Sequence, residues 1–465
     1  MNSHSNSRFS LAVVTSLFFL WGFITCMNDL LIPHFKGMFD LSRTQAMMVQ
    51  FAFFGAYFIG SVIYFLISLV QGDPINKIGY KRGIVVGLLI SAVGCGLFYP
   101  AAQLGAYWMF LGGLFVLGLG FTLLQIAANP YVSILGTSET ASSRLNLTQG
   151  FNSLGTTLAP LLGVAMISML VDEGGQAGES VKYPYLLFSG IFVLMAIGFS
   201  RINLPHFQND ASLSGGSAIR FPQVYLGVLA IFTYVGAEVT IGSFLIEFIG
   251  MSDVMGLGED IAANYLACYW GGAMVGRFSG ALSLSKLSSQ KKWLGMVAGS
   301  LVTFGLIWQL GSLSLSEIAP FLLFVVLNIL GFIWGKGIPG KTLGGFALVN
   351  VGLILGTIFL TGAASMWMLL AVGLFNSIMW PNIFTLSIHN LGKHTSQASS
   401  LLVMAILGGA LVPVLQGWLS EFAAIGVKGS FFLPMACYAY IAFFGFRFAG
   451  VEVSQKEEQP AGVSH

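Results

Sequence analysis

Residues 9–33 read FSLAVVTSLFFLWGFITCMNDLLIP. The run is long enough to cross a hydrocarbon core of about 30 Å as one helix, yet near its end it carries Asp29. A carboxylate is too short to reach the interface from mid-membrane, and the core offers no water to an unpaired charge. The stretch therefore requires a helix that turns Asp29 toward a partner or a wet cavity, and such a cavity needs other helices around it. Pro33 does not end this reading, because a proline is tolerated in a membrane helix as a kink.

The rest of the chain agrees. Of 465 residues 56% are hydrophobic and 8% are charged, with a mean hydropathy of +0.83. A soluble domain averages roughly 25% charged residues, so most of this surface faces lipid. The first run is longer than a signal-peptide core and lacks a small-x-small cleavage site, which predicts a retained helix. Apolar runs separated by charged or Gly/Pro/Ser-rich breaks predict fourteen spans, the first over 9–34, the seventh over 221–249 and the last over 429–449.

Basic residues set the orientation. With the N-terminus inside, fifteen Lys and Arg residues fall on the cytoplasmic side and only Lys36, Arg43, Lys182 and Lys428 outside. That predicts both termini in the cytoplasm and an even number of spans. The one long polar linker, with NDASLSGGSAIR at 209–220, divides the chain into an N-terminal bundle (1–203), a linker (204–220), a C-terminal bundle (221–449) and a cytoplasmic tail (450–465). ASSRLNLTQGFNSLGTTLAPLLG (141–163) and ASSLLVMAILGGALVPVLQG (398–417) share their start, a glycine-bearing middle and a Pro before Gly. Repeated bundles with a site between them are a recurrent transporter design.

Three ionisable residues lie well inside spans: Asp29, Glu238 and Arg277. Arg277 is near a helix exit, where snorkelling or capping a neighbouring helix end accounts for it. Asp29 and Glu238 cannot snorkel, and they occupy comparable places in the first helix of each half. Amides offer paired donors and acceptors to hydroxyl groups, and aromatic faces stack on a pyranose. Asn28, Gln125, Asn129, Gln149, Asn152 and Asn376, with Trp380 and Tyr265, supply both. Gln125 and Asn129 are four apart, Gln149 and Asn152 three apart, so each pair shares a helix face. A neutral polyhydroxylated ligand fits better than an ion or a lipid. No nucleophile, metal-ligand spacing or phosphate loop supports an enzyme, a metal site or a cofactor, and no basic cluster suggests nucleic acid.

The stretches FFLWGFITCMNDLLIPHF, QIAANPYVSILG, YVGAEVTIGSFL and GLFNSIMWPNIFTLSI together resemble the fucose/proton symporter family of the major facilitator superfamily, in particular its bacterial glucose/galactose transporter branch. The resemblance covers nearly the whole chain. It implies an all-α membrane protein with the major facilitator fold in a bacterial inner membrane. The implied activity is hexose uptake with a proton by alternating access, as a monomer, with Asp29 carrying the proton, Asn28 beside it and Gln149 and Trp380 touching sugar. Glu238 joins Asp29 in cation coupling and also faces the sugar. Two positions depart from the fucose type. The fourth-helix acid is Gln125 here, and the seventh-helix Gln is Glu238. That leaves a sodium-coupled hexose symporter, with Asp29 as ion ligand, or an N-acetylglucosamine transporter as alternatives. Family members have twelve helices, so residues of about 288–339 are read as an inserted two-helix hairpin packed outside the transport path. In the loop GDPINKIGYKRG (72–83), Asn76 replaces the usual Asp.

Overall fold

The computed structural model describes residues 3–41, 43–170, 179–202, 217–310 and 313–450, and within these the side chains of Asn28, Asp29 and some of their neighbours lie outside the described residues. The linker and tail expected from the sequence fall largely outside them too.

The first helix, Ser3–Phe39, runs unbroken through Pro33, so the backbone of Asp29 is helical. The second to sixth are Arg43–Gln71, Tyr80–Gly96 continued by Phe98–Leu104, Tyr107–Ile134, Ala141–Leu170 and Glu179–Arg201. The seventh to tenth are Pro222–Gly250, Glu259–Ser283, Ser289–Leu310 and Leu315–Gly335. The eleventh is Pro339–Phe359. The twelfth breaks between Gly362–Asn376 and Met379–Ser387, the thirteenth between Thr395–Met404 and Gly408–Ser420, and the last is Phe432–Arg447. Eleven helices meet both the length and the hydropathy needed to span among the described residues. The fifth, eighth and ninth complete fourteen by length alone. The eighth carries Glu259, Asp260 and Arg277, and the ninth Lys291 and Lys292, which lower their mean hydropathy.

Packing in the two halves corresponds. The first helix packs along the fifth, the second along the fourth, and the third along both fourth and sixth. In the second half the seventh packs along the thirteenth, the eighth along the twelfth, and the eleventh along both twelfth and fourteenth. The ninth and tenth stand outside this correspondence. The ninth lies on the eighth, and the tenth on the eighth, eleventh and twelfth.

Lipid gives helices no hydrophobic reason to associate, so close backbone approach through small residues does the joining. A Cβ on Gly155 would sit 2.8 Å from the Phe23 amide and nearer still to the Phe19 carbonyl. At the equivalent seam of the second half, a Cβ on Gly408 would sit 2.8 Å from the Phe232 carbonyl carbon.

Among the described residues, the halves are bonded to each other at the end bearing Lys77, Arg144, Lys286 and Lys393. Asn146 donates to Asn382 at 3.0 Å, and Ser142 and Thr385 share a hydrogen bond of 2.6 Å. Ser143 donates to the Ala281 carbonyl at 2.5 Å, and Asn76 to the Lys393 carbonyl at 2.8 Å. Gln397 donates to Ser68 at 3.1 Å, and Lys286 pairs with Glu139. This end of the interface is sealed.

Candidate functional site

Above the seal, between the halves, lies a cavity of about 150 Å³. Trp21, Gln125 and Gln149 line it from the first half, and Tyr234, Val235, Glu238, Arg277, Trp380 and Ile406 from the second. Phe151 and Phe278 cross the halves edge to face, with ring centroids 5.6 Å apart.

Among the described residues, the first-half wall is neutral. Gln125 accepts from the fully buried Asn129 at 3.2 Å, so Asn129 backs the wall and orients the amide that faces the cavity. Asn152 donates to the Phe18 carbonyl at 3.0 Å and joins the first helix to the fifth behind Gln149. Trp21 stands against Phe18 and Phe121, which hold its ring at the cavity edge.

The second-half wall is charged. Glu238 Oε1 accepts from the Tyr234 hydroxyl at 2.7 Å, and Arg277 Nη2 lies 4.0 Å from the same oxygen. Both side chains are almost buried, at 14% and 12% exposure. The Glu238 carbonyl accepts from the Tyr269 hydroxyl at 2.9 Å. That hydroxyl in turn accepts from Asn376 at 3.1 Å, and Asn376 accepts from Asn350 at 3.0 Å. Asn376 thus supports Glu238 through Tyr269 rather than facing the cavity. Trp380 lines the cavity and stacks on Phe384, and its buried indole N–H has no hydrogen-bond partner among the described residues. A buried N–H of that kind is costly unless a ligand or water accepts from it.

Arg277 does not snorkel. Its Nε donates to the Ser377 carbonyl at 3.2 Å, and its Nη1 donates to Ser153 Oγ across the halves. The Ser377 carbonyl is open for a local reason. Four residues on is Pro381, which has no N–H to return, and the twelfth helix breaks there. A guanidinium then fills the place of the missing donor, as freed backbone groups in a membrane require. The proline four residues after a mid-helix serine was the signal in the sequence that a buried donor had to be nearby. Ser153 left no such signal, since lone hydroxyls are common in membrane helices.

The structure therefore brings Gln125, Gln149, Glu238 and Trp380 together on one cavity, with Asn129, Asn152 and Asn376 one step behind. Tyr265 is elsewhere, edge-on to Trp367 at 5.9 Å. Asn28 and Asp29 lie outside the described residues. Among those residues, no cluster of His, Cys, Asp and Glu is placed to hold a metal.

A site with amides on one wall, a compensated acid and base on the other and two indoles suits a neutral ligand rich in hydroxyl groups. Comparison with known proteins agrees. Residues 9–340 match the family model described as Major Facilitator Superfamily. The chain is 45% identical over 450 residues to a glucose/galactose transporter of Brucella abortus, spanning 96% of this chain and 95% of the relative. It is 32% identical over 461 residues to the L-fucose-proton symporter of Escherichia coli, spanning 93% and 91%. The crystal structure of the transporter FucP in its outward conformation superposes with a TM-score of 0.75 at 29% identity, covering 95% of this chain and 99% of that one.

Proposed function

The chain belongs to the major facilitator superfamily, and from that premise we propose that it imports glucose or galactose together with a proton by alternating access. The observation that carries the reading is the cavity between the halves. One wall offers the amides of Gln125 and Gln149, the other the Glu238–Arg277 pair and the indole of Trp380. Sugar hydroxyls bridging both walls favour a closed form over either open one, which is a shift of populations by differential binding and needs no covalent step.

In this reading the helices of residues 1–203 and 221–449 form the two moving bundles, and the hairpin of about 288–339 is an insertion riding on the second. The corresponding packing of the halves, with the ninth and tenth helices left over, supports that division. The sealed end is the cytoplasmic one, because the basic loops lie there. The protein sits in a bacterial inner membrane with both termini inside and works as a monomer. Gln125, Gln149 and Trp380 bind the sugar; Asn129 orients Gln125, Asn152 joins the helices behind Gln149, and Asn376 supports Glu238 through Tyr269. Asp29, with Asn28 beside it, is the carboxylate that takes up the cation. N-acetylglucosamine is the second sugar to test, since Gln125 and Glu238 depart from the fucose-type pattern.

Uptake into proteoliposomes under an imposed proton or sodium gradient, across a panel of hexoses, decides the matter. Glucose or galactose accumulation driven by protons alone is expected. Accumulation that follows sodium and ignores pH would replace the coupling ion, and no uptake of any hexose would refute the transporter reading.

A further inference from the structure

We propose that Arg277 ties the two halves together at the base of the sugar cavity, and that ionised Glu238 loosens the tie by competing for the guanidinium. The inference rests on the sugar-transport reading above and assigns Glu238 a task other than carrying the proton.

One side chain makes contacts in three directions. Nη1 donates to Ser153 Oγ on the fifth helix, in the first half. Nε donates to the Ser377 carbonyl at the break of the twelfth helix, in the second half. Nη2 approaches Glu238 Oε1 on the seventh helix at 4.0 Å, beyond hydrogen-bond distance. Of the two terminal nitrogens, the one that is directly bonded reaches across the halves, and the acid is held in reserve, taking its own direct bond from Tyr234.

A guanidinium presents its donors in a rigid planar fork. Drawing it onto Glu238 as a close, two-pronged pair rotates the whole plane, while the Ser377 carbonyl pins Nε. Nη1 then leaves Ser153. The two arrangements exclude each other, and the charge on Glu238 sets their balance. A neutral group in place of the carboxylate leaves the guanidinium with Ser153, so the halves stay joined. An ionised carboxylate pulls it away, and the base of the cavity can open. The interaction is poorly screened, because both side chains are almost buried.

The arrangement predicts an unusual dependence between two residues on different halves. In proteoliposomes loaded with saturating hexose, exchange of labelled for unlabelled sugar reads the rate of reorientation without any cation gradient. Glu238→Gln should slow the maximal exchange rate at least tenfold. Ser153→Ala added to Glu238→Gln should restore it at least threefold, in the maximal rate and not in the apparent KM. Should that double variant be polydisperse in detergent, Arg277→Lys in the Glu238→Gln background serves instead. A lysine keeps the charge, but its single ammonium cannot bond Ser153 and Ser377 together in the same fork, so the same recovery is expected. Glu238→Gln exchanging at the wild-type rate, or double variants no faster than Glu238→Gln alone, would overturn the tie. Wild-type protein that exchanges no hexose would sink the transport reading instead, so the two failures are distinct.

Discussion

Adding one methyl group to a membrane helix can weaken or strengthen this protein, and the backbone decides which. At Gly155 a Cβ would lie 2.8 Å from the Phe23 amide nitrogen and nearer the Phe19 carbonyl oxygen, where ordinary contact begins at 3.4 Å. Both obstacles are backbone, so no side chain can give way, and the first and fifth helices must separate by at least about 0.6 Å. Overpacking of that kind costs about 1–3 kcal/mol. A radial gap of about 0.5–1 Å along the rest of the seam forfeits a quarter to a half of each dispersion contact there. The seam also carries the bond from Asn152 to the Phe18 carbonyl, and it fixes Trp21 relative to Gln149 across one wall of the cavity. Gly155→Ala should therefore lower both melting temperature and hexose affinity, the latter about tenfold for each 1.4 kcal/mol lost at the site. Gly190→Ala is the matched control. A Cβ there meets nothing within 4 Å, and alanine is the better helix former by about 0.5–1 kcal/mol, so stability should hold or rise. The assays are thermal unfolding in detergent and quenching of tryptophan fluorescence by hexose. Gly155→Ala matching Gly190→Ala in both would refute the close seam and the cavity wall built on it.

Three further expectations follow from other parts of the molecule. Asp29→Asn should abolish gradient-driven accumulation while leaving part of sugar exchange intact, and full accumulation by that variant would end the coupling assignment. Asp73, at the loop after the second helix, accepts from Tyr64 at 2.5 Å and from the Ile75 amide at 3.0 Å, yet burial pushes its carboxyl above the usual range. A raised folded value makes the protonated form the better one in the folded state. Its contribution is complete below the unfolded value of about 3.9 and is lost as pH rises through the folded value. The melting temperature of wild type relative to Asp73→Asn should fall as pH rises above about 4, and a constant difference would contradict this. Asn76→Asp removes the donor to the Lys393 carbonyl, so a cysteine placed at Ser142, in a background without the native cysteines, should be alkylated faster; unchanged labelling would show that this bond does not hold the end closed.

Span number and the main lining residues were legible because polar residues are scarce in a chain meant for lipid. Glu238 and Gln125 are far apart in sequence, but each is conspicuous against apolar neighbours, and each needs a wet or polar place to be tolerated. Arg277 was not legible as part of the site. A long basic chain near a helix end can reach the interface, and only three-dimensional packing shows that this one turns inward to Ser377, Ser153 and Glu238. Helix-face spacing paired Gln125 with Asn129 and Gln149 with Asn152, and the first of these pairs is hydrogen-bonded. The same spacing could not say which member faces the cavity, because a helix surrounded by other helices and lipid has no sharply polar side to point with. Tyr265 shows the cost of that ambiguity, since it packs on Trp367.

The pairing of Glu238 bears on the number of protons moved. A bare carboxylate in a bilayer must be neutralised before the cavity around it can close, and this requirement couples a proton to a sugar. Glu238 is not bare. Tyr234 donates to it and Arg277 stands 4.0 Å away, so its charge is compensated within its own half whether or not a gradient exists. Removing either partner of such a pair leaves an uncompensated charge, which is the expensive state. Gln125 occupies the place where the fucose-type pattern has a second acid, and Gln125 carries no proton to exchange. On the proposed role of Asp29, a single carboxylate has to take up a proton, which predicts one proton per sugar. With the membrane potential clamped at zero, each imposed pH unit supplies about 1.36 kcal/mol per proton. Sugar should accumulate about tenfold per pH unit at equilibrium. Accumulation near a hundredfold per unit would mean two protons, would make Glu238 the second carrier, and would refute its role as a competitor for Arg277 that carries no proton.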